Sequence, residues 1–363
     1  MRFLDRISLK HVYLISLSSI YVFYILGLYG LIRGNYGATF SPMQPDSTQY
    51  VCRGIQMANV DTQVANSLLA KLTNDFRNPS EVPLSCGAPS LLYESRLLLP
   101  FLISFTTVFE SLWALFIPTF AFAAASIILW WKLTKSYVRS LSALLLAIAP
   151  WLSPHFGGHV FLVLTEGPLI FLMLSILILT NSRISNHVYF LLLLLTSCLG
   201  IVNRQSWPIF AIVLAFSVTS RFQVYKNVRI LMVFITAFLY SFILNELLTN
   251  SISQSINPSK TPDAISGVFN GLAGDFVHVI QFVDLPGVLV LFIMGILLFK
   301  VHDFKVQITF LLLLLVSLYS QGAIYLYDNS FSQNWRYYLP NAFFAVFIYL
   351  RNAAAKKSST ITM

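Results

Sequence analysis

The chain has 363 residues, of which 57% are hydrophobic and only 10% are charged, and its formal net charge is +9. Soluble domains carry about 25% charged residues, so this composition excludes an ordinary soluble domain and predicts a polytopic membrane protein. In such a protein, Lys and Arg set the orientation in the lipid bilayer, and we expect no nucleic-acid partner.

Apolar segments that can serve as transmembrane helices recur along the whole chain. A span needs about 20 apolar residues, and its backbone must be helical in lipid. We therefore predict an all-α fold with about ten transmembrane helices in one integral membrane domain, residues 1–363. The predicted spans are 11–32, 111–131, 141–156, 160–180, 188–202, 207–218, 230–248, 285–299, 306–319 and 339–349.

The basic residues predict how these spans are oriented. Most of the 23 Lys and Arg residues fall in short connections on one side, such as 132–139, and in the basic tail 351–363. The positive-inside rule places that side in the cytoplasm together with both termini. The sequence contains no Asn-x-Ser/Thr glycosylation acceptor, which favours a bacterial inner (plasma) membrane.

The long first outer loop, residues 33–96, collects polar residues beside the membrane surface. It carries Asp46, Tyr50 and Arg96, where the headgroup of a lipid-linked substrate would lie. It also carries Cys52 and Cys86, which either form a disulfide in an oxidising compartment or stay unpaired.

The apolar segment that follows this loop, residues 97–110, is predicted to be an interfacial or re-entrant helix. If it crossed the membrane as well as 111–131, the basic cluster 132–139 would move to the outer side and contradict the positive-inside rule.

Three further charged positions are candidates for a site. Glu166 interrupts an apolar run, so it faces a cavity or forms a structural ion pair with Arg96 or Arg204. Arg204, between two apolar helices, grips a phosphate or only reaches for the lipid headgroups. Arg336, followed by Tyr337 above the last span, is well placed to hold an anionic headgroup.

His155 and His159 bracket two glycines on the outer side. Two histidines four apart on a helix can bind a metal, but Gly157 and Gly158 favour a loop, so ordinary solvated histidines are the leading interpretation. A divalent metal, Mg or Mn, held between one of them and Asp46 stays open, and no other cofactor is expected.

Taken in order, these motifs resemble GT-C-type membrane glycosyltransferases. The resemblance rests on Pro-Asp-Ser-Thr-Gln-Tyr at 45–50, Arg-Leu-Leu-Leu-Pro at 96–100, Thr-Glu-Gly-Pro at 165–168, Asn-Arg at 203–204 and Trp-Arg-Tyr-Tyr-Leu-Pro at 335–340. The chain departs from the family in having Asp-Ser at 46–47 where many members have two acidic residues. It also has no C-terminal soluble domain, which points to a small bacterial member.

The resemblance implies an inverting transfer of a sugar from a polyprenyl-phosphate donor to a glycan, lipid or protein acceptor at the outer face. Asp46 would be the general base, with the Tyr50 hydroxyl, His155 and His159 as secondary candidates. Arg204 and Arg336 would hold the phosphate, and Glu166 and Arg96 would orient these groups or the acceptor.

Two other classes remain open on the residues alone. A transporter or flippase of lipid-linked saccharide would place ionisable residues near the middle of broken helices. A non-catalytic subunit of a membrane complex would use Glu166 only as a structural ion-pair partner. Convergence of the polar residues on one outward cavity favours an enzyme, which includes a related polysaccharide polymerase or ligase.

Overall fold

The computed structural model of the chain describes residues 8–32, 45–75, 96–109, 112–162, 165–181, 184–203, 284–300, 306–315, 317 and 338–360. Within these ranges the regular structure is helical without any β-strand, so the predicted all-α class is confirmed. The helices are α1 (Leu9–Ile32), α2 (Pro45–Met57), α3 (Thr62–Asp75), α4 (Leu98–Thr106), α5 (Leu112–Thr134), α6 (Leu141–Leu152), α7 (Gly157–Val160), α8 (Glu166–Asn181), α9 (Asn186–Asn203), α10 (Leu285–Lys300), α11 (Val306–Leu315) and α12 (Leu339–Thr360).

Two of these helices contain a stretch that is long and apolar enough to cross a membrane. The stretches are Leu9–Leu26 in α1 and Ala114–Thr134 in α5. The other apolar helices of the described ranges are shorter, with 10–17 qualifying residues. The prediction of ten spans is therefore not confirmed, and the predicted spans 207–218 and 230–248 lie outside the described residues.

The local sequence explains where α6 begins and ends. Ser140 has an extended backbone, and its hydroxyl accepts a hydrogen bond from the backbone N–H of Ala143 at 3.3 Å, which is an N-cap. At the other end, Ser153 is extended because it precedes Pro154, and proline disfavours a helical conformation in the residue before it. The helix therefore ends at Leu152, four residues before the end of the predicted span.

The predicted span 160–180 is wrong at its start, because the chain turns there. Gly157–Val160 form the one-turn helix α7, and α8 begins only at Glu166. A Cβ atom on Gly157 would lie 2.5 Å from the carbonyl oxygen of Trp151, so only glycine lets the chain fold back onto the end of α6. Glu166 is thus the first residue of a helix, where a negative charge is favoured by the helix dipole.

Helix α12 runs through the centre of the described bundle. It packs against α5, α6, α8 and α10, and its residues 342–348 have no exposed surface. Trp130 and Trp151 both meet the ring of Phe343 edge-on, with centroid separations of 5.2 Å and 4.8 Å. The helix continues to Thr360, so most of the basic tail predicted for 351–363 is helical.

Side-chain contacts fix which helix termini lie together. The Tyr13 hydroxyl, near the start of α1, is 2.7 Å from that of Thr134 at the end of α5. We call this the basic end, because Lys132, Lys135 and Arg139 lie beside Thr134 in the chain. Towards the opposite end, the Tyr24 hydroxyl donates a hydrogen bond to the carbonyl oxygen of Leu152 at 3.5 Å.

The opposite end carries several polar contacts between helix termini, and we call it the His155 end because His155 lies there, three residues after the end of α6. Here the side chain of Asn203, the last residue of α9, donates to the carbonyl oxygen of Thr165 just before α8 at 3.0 Å. Ser153 meets Asp284 immediately before α10, and Ser317 meets Asn341 in the first turn of α12. Helices α1, α6 and α9 therefore finish at the end where α8, α10 and α12 begin.

Candidate functional site: a Ser–Asp–His cluster and a buried Arg–Tyr pair

Three polar side chains from two distant parts of the chain meet at the His155 end. The Ser153 hydroxyl donates a hydrogen bond to Asp284 Oδ2 at 2.5 Å, and His155 Nδ1 lies 2.8 Å from the same oxygen. The Asp284 side chain is 2% exposed, whereas that of His155 is 15% exposed. The cluster thus places a nearly buried carboxylate behind a histidine that still reaches the surface.

The other oxygen of Asp284 is used to start helix α10. Oδ1 accepts the backbone N–H of Gly287 at 2.9 Å, which makes Asp284 the N-cap of this helix. A Cβ atom on Gly287 would overlap Asp284 Oδ2 and lie 3.1 Å from Ser153 Oγ, so glycine at this position leaves room for the cluster. Oδ1 of Asp284 thus caps α10, whereas Oδ2 bonds to Ser153 and His155.

These contacts determine the charge of Asp284. Burial alone would raise the pKa of its carboxyl group, because it disfavours the charged form. Hydrogen bonds from His155, Ser153 and the Gly287 backbone, together with the charge of His155, outweigh burial and lower the pKa below its ordinary value. Asp284 is therefore a carboxylate at neutral pH, and His155 Nδ1 carries the hydrogen that points to it.

The structure gives His159 a different partner from the one a metal site would require. His159 Nδ1 bonds to the backbone carbonyl oxygen of His155 at 2.9 Å. Within the described part of the chain no three His, Cys, Asp or Glu side chains form a group that could hold a metal ion. The Mg or Mn site suggested for His155, His159 and Asp46 remains a prediction, because nothing is described of the Asp46 side chain.

A second polar contact joins the first outer loop to the helix that follows it. The Arg96 guanidinium donates from Nη1 to the Tyr50 hydroxyl oxygen at 2.8 Å, and both side chains are buried. A guanidinium is removed from water only where polar partners compensate for its lost hydration. This contact therefore holds the residue just before α4 against the middle of α2.

Helices α2 and α4 also pack closely through apolar side chains. Val51 and Ile55 on α2 and Leu99 and Ile103 on α4 are at most 3% exposed. Gly54 lies at the contact, where a Cβ atom would come within 2.6 Å of Ile103 Cγ2. Since two residues separate the 3₁₀ turn Thr107–Phe109 from α5, this pair of helices lies where α5 begins.

The packing of α2 against α4 fixes where the backbone of Asp46, the predicted general base, lies. Asp46 is in the first turn of α2, four residues before Tyr50, so the two positions share one face of the helix. Cys52, further along α2, is disulfide-bonded, and Cys198 in α9 carries a free thiol. The partner that the sequence predicts for Cys52, Cys86, lies outside the described residues.

Glu166 lies at the same end as the Ser–Asp–His cluster. It is 2% exposed as the first residue of α8, next to Thr165, whose carbonyl oxygen accepts the hydrogen bond from Asn203. The residue after Asn203 is Arg204, which lies outside the described residues, as do Arg336 and Tyr337. An ion pair between Glu166 and Arg204, or a phosphate site at the two arginines, thus stays a prediction.

Sequence reasoning did not single out Ser153 and Asp284. A local signal for Asp284 was present, because Asp-Leu-Pro-Gly at 284–287 is an N-cap residue followed by proline in the first helical turn. No sequence signal connects Asp284 with His155, which is 129 positions away in the chain.

Comparisons with known proteins do not assign a function to these residues. No family model matches the chain, and neither the curated proteins nor the solved structures include one that is significantly similar to it.

Proposed function

We propose that this protein is a membrane glycosyltransferase of about ten spans in a bacterial plasma membrane. It would transfer a sugar from a polyprenyl phosphate to a glycan, lipid or protein acceptor at the outer face, with both termini in the cytoplasm. The observation that supports this best is the buried contact between Arg96 and Tyr50. It ties the helix that carries Asp46 to the segment just before α4, and so holds the proposed base beside the surface helix of the first outer loop.

A lipid environment is supported by the outside of the described bundle. Large apolar side chains are exposed on helices from both halves of the chain, and α1 is the clearest case, since only 22% of its apolar stretch is buried. Many large apolar side chains exposed along several helices are what a lipid-facing surface requires, whereas soluble monomers rarely expose large apolar patches. The most exposed of these residues include Phe23, Leu26, Phe105, Phe109, Leu141, Leu191, Leu285 and Phe292.

The positions of the ionisable side chains favour an enzyme over a carrier. Arg96, Glu166 and Asp284 are each buried and stand at a helix start or one to two residues before one. A carrier instead needs such residues near the middle of the membrane, on broken helices. Polar groups gathered at one end suit a reaction at one face of the membrane.

The chemistry needs few groups from the protein. The phosphate of the donor is already a good leaving group, so the enzyme has to activate an acceptor hydroxyl and stabilise the charges that develop. In this proposal Arg204 and Arg336 hold the phosphate, while Arg96 and Glu166 orient the neighbouring groups. The carboxylate of Asp46 is the general base that takes the proton from the acceptor hydroxyl.

Incubation of the full-length protein in lipid nanodiscs with radiolabelled polyprenyl-phosphate sugars and a panel of acceptors tests this proposal. We expect a labelled product with wild type and none with Asp46→Asn. The matched control is Asp61→Asn, at an exposed residue that caps the N-terminus of α3 through the backbone N–H of Gln63. Asparagine also caps helices well, so this control should retain full activity.

Full activity in Asp46→Asn would remove Asp46 from the reaction. Absence of product with every donor would refute glycosyl transfer. The same protein in sealed proteoliposomes provides the test for a carrier, which would move the labelled lipid to the inner leaflet.

A further inference from the structure

We propose that α1 binds an anionic phospholipid of the inner leaflet, with an acyl chain in a groove on its outer face and the headgroup phosphate beside Lys10. The inference goes beyond sugar transfer and rests only on the membrane location proposed above.

A groove runs along the face of α1 that is turned away from the bundle. It has a volume of about 560 Å³ and is lined by Leu14, Ile15, Ser18, Ser19, Val22 and Phe23. The short side chains of the two serines lie between larger apolar side chains, of which Ile15, Val22 and Phe23 are 50–69% exposed. Apart from two hydroxyl groups the lining is apolar, so it suits a hydrocarbon chain.

The groove has the length of one leaflet. From Leu14 to Phe23 the helix rises about 14 Å, and half of a hydrocarbon layer of about 30 Å is about 15 Å. Leu14 lies one turn after Lys10, about 6 Å along the helix. An acyl chain whose headgroup lies at the basic end would therefore fill the groove and reach about the middle of the bilayer.

Basic side chains surround the start of the groove. Lys10 and Leu14 are four residues apart and share one side of α1. The contact between the hydroxyls of Tyr13 and Thr134, at 2.7 Å, brings the end of α5 to the same level, and Lys132 precedes Thr134 by two residues. Both lysines are exposed, and such side chains extend their charge to the headgroup level while their methylene groups stay on apolar surface.

The charges of the described bundle are separated between its two ends. Arg139 adds to the basic end and is also exposed, whereas the buried Glu166 and Asp284 lie at the His155 end. A lipid phosphate is the kind of partner that complements clustered cations at the inner surface of a membrane.

Other occupants suit this groove less well. Two copies of the chain in one membrane have the same orientation, so a symmetric contact through α1 would bring their basic ends together. Lys10 and Lys132 of each copy would then meet like charges, which disfavours the contact. The lipid-linked sugar of the proposed reaction is used at the His155 end, in the opposite leaflet.

Native mass spectrometry of the full-length protein tests the headgroup. The probes are phosphatidylglycerol, which is anionic, and phosphatidylcholine, which is zwitterionic. We expect one phosphatidylglycerol to bind more tightly than phosphatidylcholine. The double variant Lys10→Gln, Lys132→Gln should weaken this binding by ~5-fold for each cation removed and should leave the binding of phosphatidylcholine unchanged.

The matched control is Arg53→Gln, which removes an exposed cation on α2, away from α1. It should bind phosphatidylglycerol as wild type does. Equal affinity of wild type for the two lipids, or the same loss in Arg53→Gln, would overturn the proposal.

Filling the groove tests the site of the acyl chain. Ser18→Phe puts an aromatic ring among the lining side chains, so the tightly bound phosphatidylglycerol should be lost. Ser67→Phe makes the same change at an exposed serine of α3 and should have no effect. Unchanged binding in Ser18→Phe would show that the lipid does not use the groove.

A photoreactive acyl chain locates the lipid in wild type without any substitution. Phosphatidylglycerol that carries such a chain, in nanodiscs of phosphatidylcholine, should label residues 14–23. Excess unlabelled phosphatidylglycerol should suppress this labelling, and further phosphatidylcholine should not.

Even labelling of the exposed helices that neither competitor changes would mean bulk lipid only and would refute the site. A dimer in the native spectra that Ser18→Phe dissociates would assign the groove to a second copy instead. None of these measurements uses sugar transfer, so this proposal and the proposed function fail independently.

Discussion

Replacing Gly54 with alanine should separate the two helices that bring Arg96 to Tyr50. The added Cβ would lie 2.6 Å from Ile103 Cγ2, which is 0.8 Å short of the 3.4 Å at which ordinary contact begins. It would also lie 3.0 Å from the carbonyl oxygen of Pro100. Backbone on one side and a β-branched side chain on the other leave little freedom to adjust, so α4 must move away from α2.

The expected cost follows from two opposing effects. Overpacking a close contact costs about 1–3 kcal/mol, while alanine in place of glycine favours the helix by about 0.5–1 kcal/mol. We therefore expect Gly54→Ala to lower the free energy of unfolding by about 1–2 kcal/mol. Thermal unfolding in detergent, followed by tryptophan fluorescence, measures the change, and sugar transfer should fall because Tyr50 and Arg96 move apart.

The matched control is Gly295→Ala in α10. A Cβ atom there would meet no atom within 4 Å, so only the helix-favouring effect remains and stability should be equal or higher. If Gly54→Ala unfolds at the same temperature as wild type and remains fully active, the contact between α2 and α4 does not control the site.

Three other changes test single contacts. Tyr50→Phe removes the acceptor of a buried Arg96 N–H, so we expect a loss of ~1–3 kcal/mol in the free energy of unfolding, measured in denaturant. Because the pKa of Asp284 is lowered in the folded protein, its charged form stabilises the fold fully above the ordinary carboxyl pKa, and this stabilisation is lost as the pH falls through the folded value. The unfolding temperature of wild type should therefore fall below pH ~4. That of Asp284→Asn should fall less. Reduction of the disulfide at Cys52 should cost ~2–4 kcal/mol, whereas Cys198→Ser should leave the unfolding temperature of the oxidised protein unchanged.

The helices themselves could be predicted best where an apolar run has clear ends. The predicted 11–32 and 188–202 match α1 and α9 within two residues at each end, and the helix expected between 97 and 110 is α4 with its 3₁₀ turn. The start of α8 was missed because the residues before Glu166 are apolar. Thr165, Glu166 and Pro168 nevertheless form the N-cap, acidic residue and early proline that often begin a helix.

Contacts across the fold were less predictable than the helices. Tyr50 and Arg96 could be selected from composition, because polar residues beside apolar spans are few, but their hydrogen bond joins positions 46 apart. The pairing of His155 with Asp284 depends on how α6 and α10 pack against each other. A single sequence does not indicate which helices pack together. The glycines at 157 and 158 favoured a loop, whereas backbone contacts with α6 make a short helix there.

The short length of α6 has a consequence for how the chain can cross a bilayer. Its 12 residues rise about 18 Å, whereas the 23 residues of the adjacent α5 rise about 34 Å. In a bilayer whose hydrocarbon layer is about 30 Å thick, α6 alone would be too short to cross, and the turn after it, with α7, covers its terminus. Irregular backbone at membrane depth is tolerated only where protein surrounds it or it lines a water-filled cavity, which is consistent with the full burial of Ser153, Phe156 and Val160.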